Sequence, residues 1–335
     1  MDGTRLRAVN SRRRNFTQQK LAGWIKLADE RIEEYLARLD RADQAETEAE
    51  GAAASAAVLT AKIARMRERR RRHTAMLVAS GESQKSLTDP DARGIAMHPK
   101  VGVGYNAQVA VDARHKLIVE QHVTNAGSDL GLLAQTADAA RELLGVERIA
   151  AVADKGYYKG EDIAACETVG VIPYVARPER GPAIDEGYFA KSAFRYDAEQ
   201  NCYTCPARQR LDPFNRSDKN GHRTIRYGNR PACRDCALKP QCTSSGARTI
   251  ERWEGEAVLD RMAERLAARP DILDPRRETV EHPFGSIKQW MNQGAFLMRG
   301  LASVNAEFSL TALAHNLRRT INILGIPAIL RAIHA

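Results

Sequence analysis

The chain has 335 residues, 43% of them hydrophobic, which is enough for one large domain with insertions or for two domains. Lys and Arg number 51 against 42 Asp and Glu, and that excess of +9 favours an anionic partner such as nucleic acid. No apolar run approaches the ~20 residues of a membrane span, and the opening Met1-Asp-Gly-Thr-Arg5 has no hydrophobic leader, so neither a membrane partner nor secretion is expected.

In chain order, Asp2–Val9 reads as an extended segment with an acid at its start. Only Met1 precedes that acid, so the residues alone favour an ordinary solvated terminal Asp. Residues 16–80 read as a helical hairpin. Leu21, Ile25, Ala28, Ile32, Tyr35 and Leu39 repeat at helical spacing on the first arm. Leu59, Ile63, Met66 and Leu77 do so on the second, where Arg70 and His73 interrupt the stripe, and the bend is expected near Glu46–Ala54. Arg65–His73 is strongly basic. Arg69 and Arg70 within it are candidates for gripping phosphates, and the alternative is a solvated face paired with the acidic first arm.

Ser86–Asp91 is a turn-rich linker. Strands are expected at Tyr105–Asp112 and Leu117–Val123, joined by a turn over Asp112–Lys116. Asp112 could be a first catalytic acid but is more simply a turn residue. Ser128 is placed to cap a helix running to Leu144. Arg148–Ala153 has the texture of a buried strand and delivers Asp154 to its C-terminal end, where Gly156 breaks it. A capping or turn role is the alternative reading of Asp154. A helix at Glu161–Val169 and a strand at Val171–Val175 follow.

Residues 178–253 are short, polar and punctuated by Gly and Pro. So few apolar residues should have difficulty building a core. Cys202-Tyr-Thr-Cys205 and Cys233-Arg-Asp-Cys236, with Cys242 beyond, offer five thiols for the four places around a structural Zn²⁺. Spacing alone selects Cys202, Cys205, Cys233 and Cys236, and free cysteines in a loop are the alternative. Cys166 lies on a helix and reads as buried.

Helices are expected at Glu256–Ala268, over 275–292, and in a long last segment. In the last, Val304, Phe308, Leu310, Leu313, Ala314 and Leu317 should pack on the sheet. Within 275–292, Arg277, Glu281 and Lys288 fall at i, i+4 and i+11, within about 40° of one line down a helix. Glu278 misses that line. Val280, Phe284, Ile287 and Met291 form the apolar side, and Pro283 should kink the helix after Glu281. On spacing alone this is a surface helix with solvated ion pairs.

The spacing Arg277-x3-Glu281-x6-Lys288 resembles the Tyr-x2-Arg-x3-Glu-x6-Lys signature of DDE transposases from bacterial insertion sequences, with Asp274 at the tyrosine position. Asp2-Gly-Thr4 and Asp154-Lys-Gly-Tyr-Tyr158 look like the other two acidic motifs of that family, and Phe296–Gly300 is also similar. The resemblance runs from residue 2 to about 325. It implies an α/β, ribonuclease-H-like mixed sheet with a helical-hairpin insertion and a Cys-rich, zinc-ribbon-like insertion. The first strand of the catalytic core would occupy 1–15, the hairpin 16–85, the core 86–177, the Cys-rich insertion 178–253 and the C-terminal core helices 254–325.

The resemblance further implies that Asp2, Asp154 and Glu281 hold Mg²⁺ or Mn²⁺, and that Arg277 and Lys288 contact DNA beside the third acid. Glu307 lacks bracketing cations and is a poorer candidate. For zinc the resemblance prefers Cys205, Cys233, Cys236 and Cys242, with Cys202 as the alternative ligand. The implied activity is metal-dependent cleavage and strand transfer of an insertion sequence. The implied partners are element ends and target DNA, and the implied setting is a homodimer on DNA in the bacterial cytoplasm, at the nucleoid. Such enzymes carry a DNA-binding region ahead of the Asp-Gly-Thr strand, so an N-terminally shortened chain is expected. Two alternatives are a remnant that only binds DNA and a metal-dependent nuclease without strand transfer.

Overall fold

The computed structural model describes residues 1–11, 15–44, 50–80, 85–97, 100–179 and 181–334. The first elements are β1 (Asp2–Arg7), β2 (Asn15–Phe16), α1 (Gln18–Gln44), α2 (Glu50–Ser80), β3 (Lys85–Ser86), β4 (Arg93–Met97), β5 (Lys100–Val111) and β6 (Ile118–Thr124). Then come α3 (Leu133–Leu143), β7 (Ile149–Ala153), α4 (Gly160–Thr168), β8 (Val171–Val175) and α5 (Pro182–Asp185). The Cys-rich stretch holds β9 (Arg195–Asp197), β10 (Cys202–Thr204), β11 (Arg210–Lys219), β12 (His222–Gly228), α6 (Arg230–Arg234) and β13 (Thr249–Trp253). The last helices are α7 (Ala257–Ala268), α8 (Asp274–Gly285), α9 (Leu301–Leu324) and α10 (Ile326–Ile333). The bend expected at Glu46–Ala54 lies partly outside the described residues, and Glu50–Ala54 opens α2. None of the described helices is long and apolar enough to cross a membrane.

The fold is mixed α/β. β5 pairs with β1, β4 and β6, while β7 and β8 form a separate parallel pair. The chain divides into two compact units, one of residues 1–2, 109–120 and 128–283, the other of 3–108, 121–127 and 284–335.

In the first unit the β7–β8 ladder runs in register from Ile149↔Val171 to Ala153↔Val175. Its core is aliphatic: Leu133, Ala137 and Ala140 of α3, Ile163 and Cys166 of α4, and Met262 of α7 bury against Ala151, Ala153, Val171 and Val175. The small alanines let helix backbones approach the strands closely. Each larger side chain buried here contributes about 1.5–3 kcal/mol. Cys166 is buried as its position suggested, and burial pushes its thiol up to about 12, which makes it unreactive. Ser128 does not cap α3. Its N-terminal donors Leu133 N and Ala134 N are taken instead by the Asp162 carboxylate of α4, at 2.8 and 3.1 Å.

The Cys-rich stretch departs from expectation. It builds a five-stranded antiparallel sheet, ordered β13-β12-β11-β10-β9, with a core of its own. That core is mainly aromatic: Phe194, Tyr203 and Tyr227 are buried together with the aliphatic Leu211 and Ile250. Tyr203 and Tyr227 meet edge to face at 5.1 Å. The nearly buried Arg252 lays its guanidinium over Tyr196 at 3.6 Å and is ion-paired to Asp260 of α7. Three tyrosines and one arginine thus supplement the few aliphatic residues of the stretch.

In the second unit, β1 comes so close to β5 that a Cβ at Gly104 would stand 2.2 Å from the Leu6 carbonyl oxygen. Phe296 packs edge to face on Tyr105 and Phe308. Asp89, fully buried, accepts from the Tyr105 hydroxyl at 2.8 Å and from Gly300 N at 3.1 Å, and Asp91 accepts from Leu301 N at 2.9 Å. Two carboxylates therefore sit at the positive end of α9. In the helical hairpin His73 does not interrupt the apolar stripe. It is buried against Trp24 and Phe16, and burial lowers its pKa, helped by Arg69 and Arg72. On α9, Val304 and Phe308 bury as expected, but Leu310, Leu313 and Leu317 are exposed.

Candidate active site

β7 is a short apolar strand that ends at Ala153, and Asp154 follows in extended conformation. The chain then turns at once. Asp154 Oδ1 accepts from Gly156 N at 2.8 Å, and its carbonyl accepts from Tyr157 N. Gly156 is required here, because a Cβ would meet Asp154 Oδ1 at 2.8 Å and come within 3.6 Å of Asp129 Oδ2. Asp154 is thus both the acid at the strand end and the cap of the turn.

Asp2 reaches the same region through Met1. The Met1 amine donates to Val152 O of β7 at 2.6 Å. Burial depresses that amine to about 6, with Arg276 lowering it further and Asp2 and Asp154 opposing. Asp2, Asp154 and Arg276 therefore all act on one buried point. Arg276 Nη1 lies 3.4 Å from Asp2 Oδ2, with both side chains largely covered. A cavity of about 690 Å³ opens beside them, lined by Met1, Val111, His115, Ile149, Val152 and Arg276, among others.

Helix α8 is in the expected place, but its phase selects a different arginine. Thr279, Val280 and Pro283 are its buried residues. Arg276 precedes them by one turn or two and shares their side. Arg277 and Glu281 face solvent, 82% and 60% exposed, and pair with each other at 2.8 Å. After Gly285 the helix widens into a π turn, Ser286–Trp290, so the single line drawn through Lys288 does not hold. Lys288 is exposed and belongs to the second unit.

Arg276 and Asp129 escape a reading of the sequence. Arg276 could have been found from helix phase, four residues before the apolar Val280. Asp129 carries no such signal. Of the other candidates, Asp112 accepts from His115 N in the β5–β6 turn and is a turn residue, as expected. Glu307 caps the backbone of Leu297 and Met298. Arg69 is exposed on α2, while Arg70 is paired with Asp29 of α1 at 2.5 Å.

Four thiols, Cys205, Cys233, Cys236 and Cys242, line one small cavity of about 30 Å³, closed by Phe189, Phe194 and Leu238. Cys202 is buried in β10 and does not line it. Gln209 N donates to Cys205 Sγ at 3.4 Å across a turn in which Arg208 takes a positive φ. Burial raises the Cys242 thiol, Arg248 opposes this, and Cys233, Cys205 and Cys236 raise it further.

The donor chemistry in both places suits metals: carboxylate oxygens for a hard divalent ion and thiols for zinc. Among the described residues, however, no group of three or more His, Cys, Asp or Glu is arranged to hold a metal. Asp2 and Asp154 both act on the Met1 amine, Glu281 is exposed and paired with Arg277, and the thiols share a cavity without closing on a common centre.

Residues 204–321 match a family model described as a transposase DDE domain. The match covers about a third of the chain and supports a relation to DDE transposases. It takes in the four clustered cysteines, α8 with Glu281, and most of α9, and it leaves out Asp2 and Asp154. No curated protein and no solved structure matches the chain.

Proposed function

We propose that the chain is a DDE transposase that cleaves and transfers DNA strands of a bacterial insertion sequence, with Asp2, Asp154 and Glu281 as its three acids. The observation that supports this most is a convergence of independent parts. The family match contains Glu281, while Asp2 and Asp154, more than 150 residues apart and outside the match, act on one buried point. The sheet is proposed to be of ribonuclease-H-like type.

Magnesium or manganese on these carboxylates would supply an activated water or 3′-hydroxyl for in-line attack on phosphorus. The protein's own part is positioning. The Gly156 N–H fixes one Asp154 oxygen and leaves the other available. Arg276 holds Asp2 and offsets its charge. Glu281 enters the site when its pair with Arg277 opens. An exposed pair of this kind is worth only about 0–1 kcal/mol, so a DNA phosphate can displace Glu281 from Arg277 at small cost. Lys288, Arg69 and Arg70 add phosphate contacts, and Arg70 exchanges Asp29 for DNA in the same way. Cys205, Cys233, Cys236 and Cys242 are the proposed ligands of a structural zinc. The enzyme works on DNA as paired subunits, in the bacterial cytoplasm.

The test is cleavage of supercoiled plasmid carrying a candidate element end, with Mg²⁺ or Mn²⁺, by the chain and by its Asp154→Asn and Glu281→Gln variants. Nicked and joined products are expected from the unaltered chain, with loss to background in both variants. Full metal-dependent cleavage by either variant removes that residue from the catalytic set. Nicked products without joined ones would reduce the activity to that of a nuclease.

A further inference from the structure

Strand β7 has one finished edge and one open edge. Ile149 N donates to Gly170 O at 3.2 Å, and the parallel ladder with β8 runs from Ile149↔Val171 to Ala153↔Val175. That register commits the main-chain groups of Ile149, Ala151 and Ala153 to β8. The N–H and C=O groups of Ala150 and Val152 therefore point the other way. Burial follows the same alternation: Ala151 and Ala153 are buried, Val152 is half-buried and Ala150 is exposed. Among the described residues no strand pairs with the open edge. One group on it is met, since Val152 O accepts from the Met1 amine at 2.6 Å. A sheet of two strands is small against the usual four to six or so, and an edge with unmet main-chain groups is a template for a further strand.

The cavity of about 690 Å³ lies along this open edge, with Ile149, Ala150 and Val152 among its lining residues. We propose that it is a strand-accepting slot: it binds an extended, continuously apolar peptide of about four residues, presented by another polypeptide and paired with Ala150 and Val152. Three observations select this occupant. First, the Met1 bond shows that the edge takes a main-chain donor, and it sets a register. A segment laid parallel to β7 and stopping short of Met1 places an N–H on Ala150 O and a C=O on the Val152 N–H, one repeat back from that bond. Second, the length fits. From Ile149 to Val152 the edge spans about 10 Å at ~3.3 Å per residue, the reach of about four extended residues. Third, the lining selects apolar side chains: Ala137 and Ala140 of α3, Leu144, Ile272 and Val280 all face the cavity. The charged residues beside it are already engaged, Asp112 with His115, Arg276 with Asp2, and Arg269 over the Tyr174 ring. Main-chain bonds then supply the affinity of such a site, and its apolar walls the selectivity.

Fluorescence anisotropy with the full chain tests this, using the probe fluorescein-Lys-Lys-Val-Ile-Val-Ile-amide, whose lysines keep it soluble. Saturable binding is expected. The same probe N-methylated at its apolar residues should bind about 30-fold more weakly, because main-chain bonds are lost in a covered site. Decanoate matches the apolar walls but offers no amides, and it should not displace the probe. Hydrogen exchange reads the register. With the probe at saturation, the amides of Ala150 and Val152 should slow about tenfold, while that of Ala151, already committed to β8, should not change. Ala150→Pro removes a donor from the open edge alone, where proline is tolerated, and should abolish binding while the chain stays folded. The N-methyl and exchange measurements use the unaltered chain, so they decide the matter even if Ala150→Pro folds poorly. No binding of the probe, equal affinity of its N-methylated form, displacement by decanoate, or binding without slowing at Ala150 and Val152 overturns the proposal. None of these measurements involves DNA cleavage, so their outcome is independent of the catalytic reading.

Discussion

Two cores in the same unit are built on opposite principles. Around β7 and β8 the core is aliphatic and small-grained. Alanines and valines on two parallel strands meet Ile163, Leu133 and Met262 from three helices. In the sheet β9–β13 the core is aromatic and sparse, with Tyr203, Tyr227 and Phe194 at its centre. The first core relies on many equivalent contacts. The second relies on a few large rings whose polar ends need partners, and it supplies them: Tyr227 and Tyr196 share the Asn201 side chain at 2.6 and 3.0 Å, and Arg252 bonds the Tyr203 hydroxyl. A polar stretch can therefore carry a core, provided that its aromatics are anchored at both ends.

Three experiments break or sharpen this contrast. The largest effect is expected from metal removal. If the four thiols hold zinc, the purified protein carries a single equivalent, and a chelator collapses the tyrosine signal in near-ultraviolet circular dichroism, since structural zinc contributes on the order of 10 kcal/mol. Zinc-free protein with that signal intact would leave the aromatic core as sufficient support. Next, Ile163→Ala in the aliphatic core should cost about 3 kcal/mol in denaturant unfolding, because α4 cannot collapse into the space without losing the Asp162 bonds. A cost below about 1 kcal/mol would show a core that repacks freely. The smallest effect belongs to Tyr227→Phe, which keeps the ring and removes one bond to Asn201. A loss of about 1 kcal/mol is expected, since Tyr196 still satisfies the same oxygen. A loss like that of Ile163→Ala would make the hydroxyl, not the ring, the anchor.

The aliphatic core was legible in the sequence because continuous apolar runs and helical repeats carry its register. β7, α4 and β8 all fall within a residue or two of their expected bounds. The aromatic core was not, because Phe194, Tyr203 and Tyr227 are scattered among polar neighbours and no periodicity links them. The site was legible in part. Asp154 at the end of β7 follows from strand character plus Gly156. The approach of Asp2 to the Asp154 region cannot be read from spacing, since it depends on the bond of the Met1 amine to Val152 of β7. Arg276 was passed over for Arg277 because a charged line is conspicuous, while the buried phase set by Thr279, Val280 and Pro283 is quiet. Helix α9 misleads in the same manner: its apolar residues belong to two faces, Val304 and Phe308 to the buried one and Leu310, Leu313 and Leu317 to the exposed one, and a linear stripe does not say which is covered.

The cap of α3 has a consequence for the order of assembly. Its acceptor, Asp162, lies 29 residues downstream of the donor at Leu133, beyond the strand β7. On a growing chain, α3 therefore emerges before the group that satisfies its first turn has been synthesised. Its N-terminal end becomes secure only once β7 is laid down and α4 folds over it. Helix, strand and second helix consequently gain their stability together, and a nascent chain released short of Asp162 carries a frayed first helix. The segment that delivers Asp154 is thus set in place by the same event that completes α3.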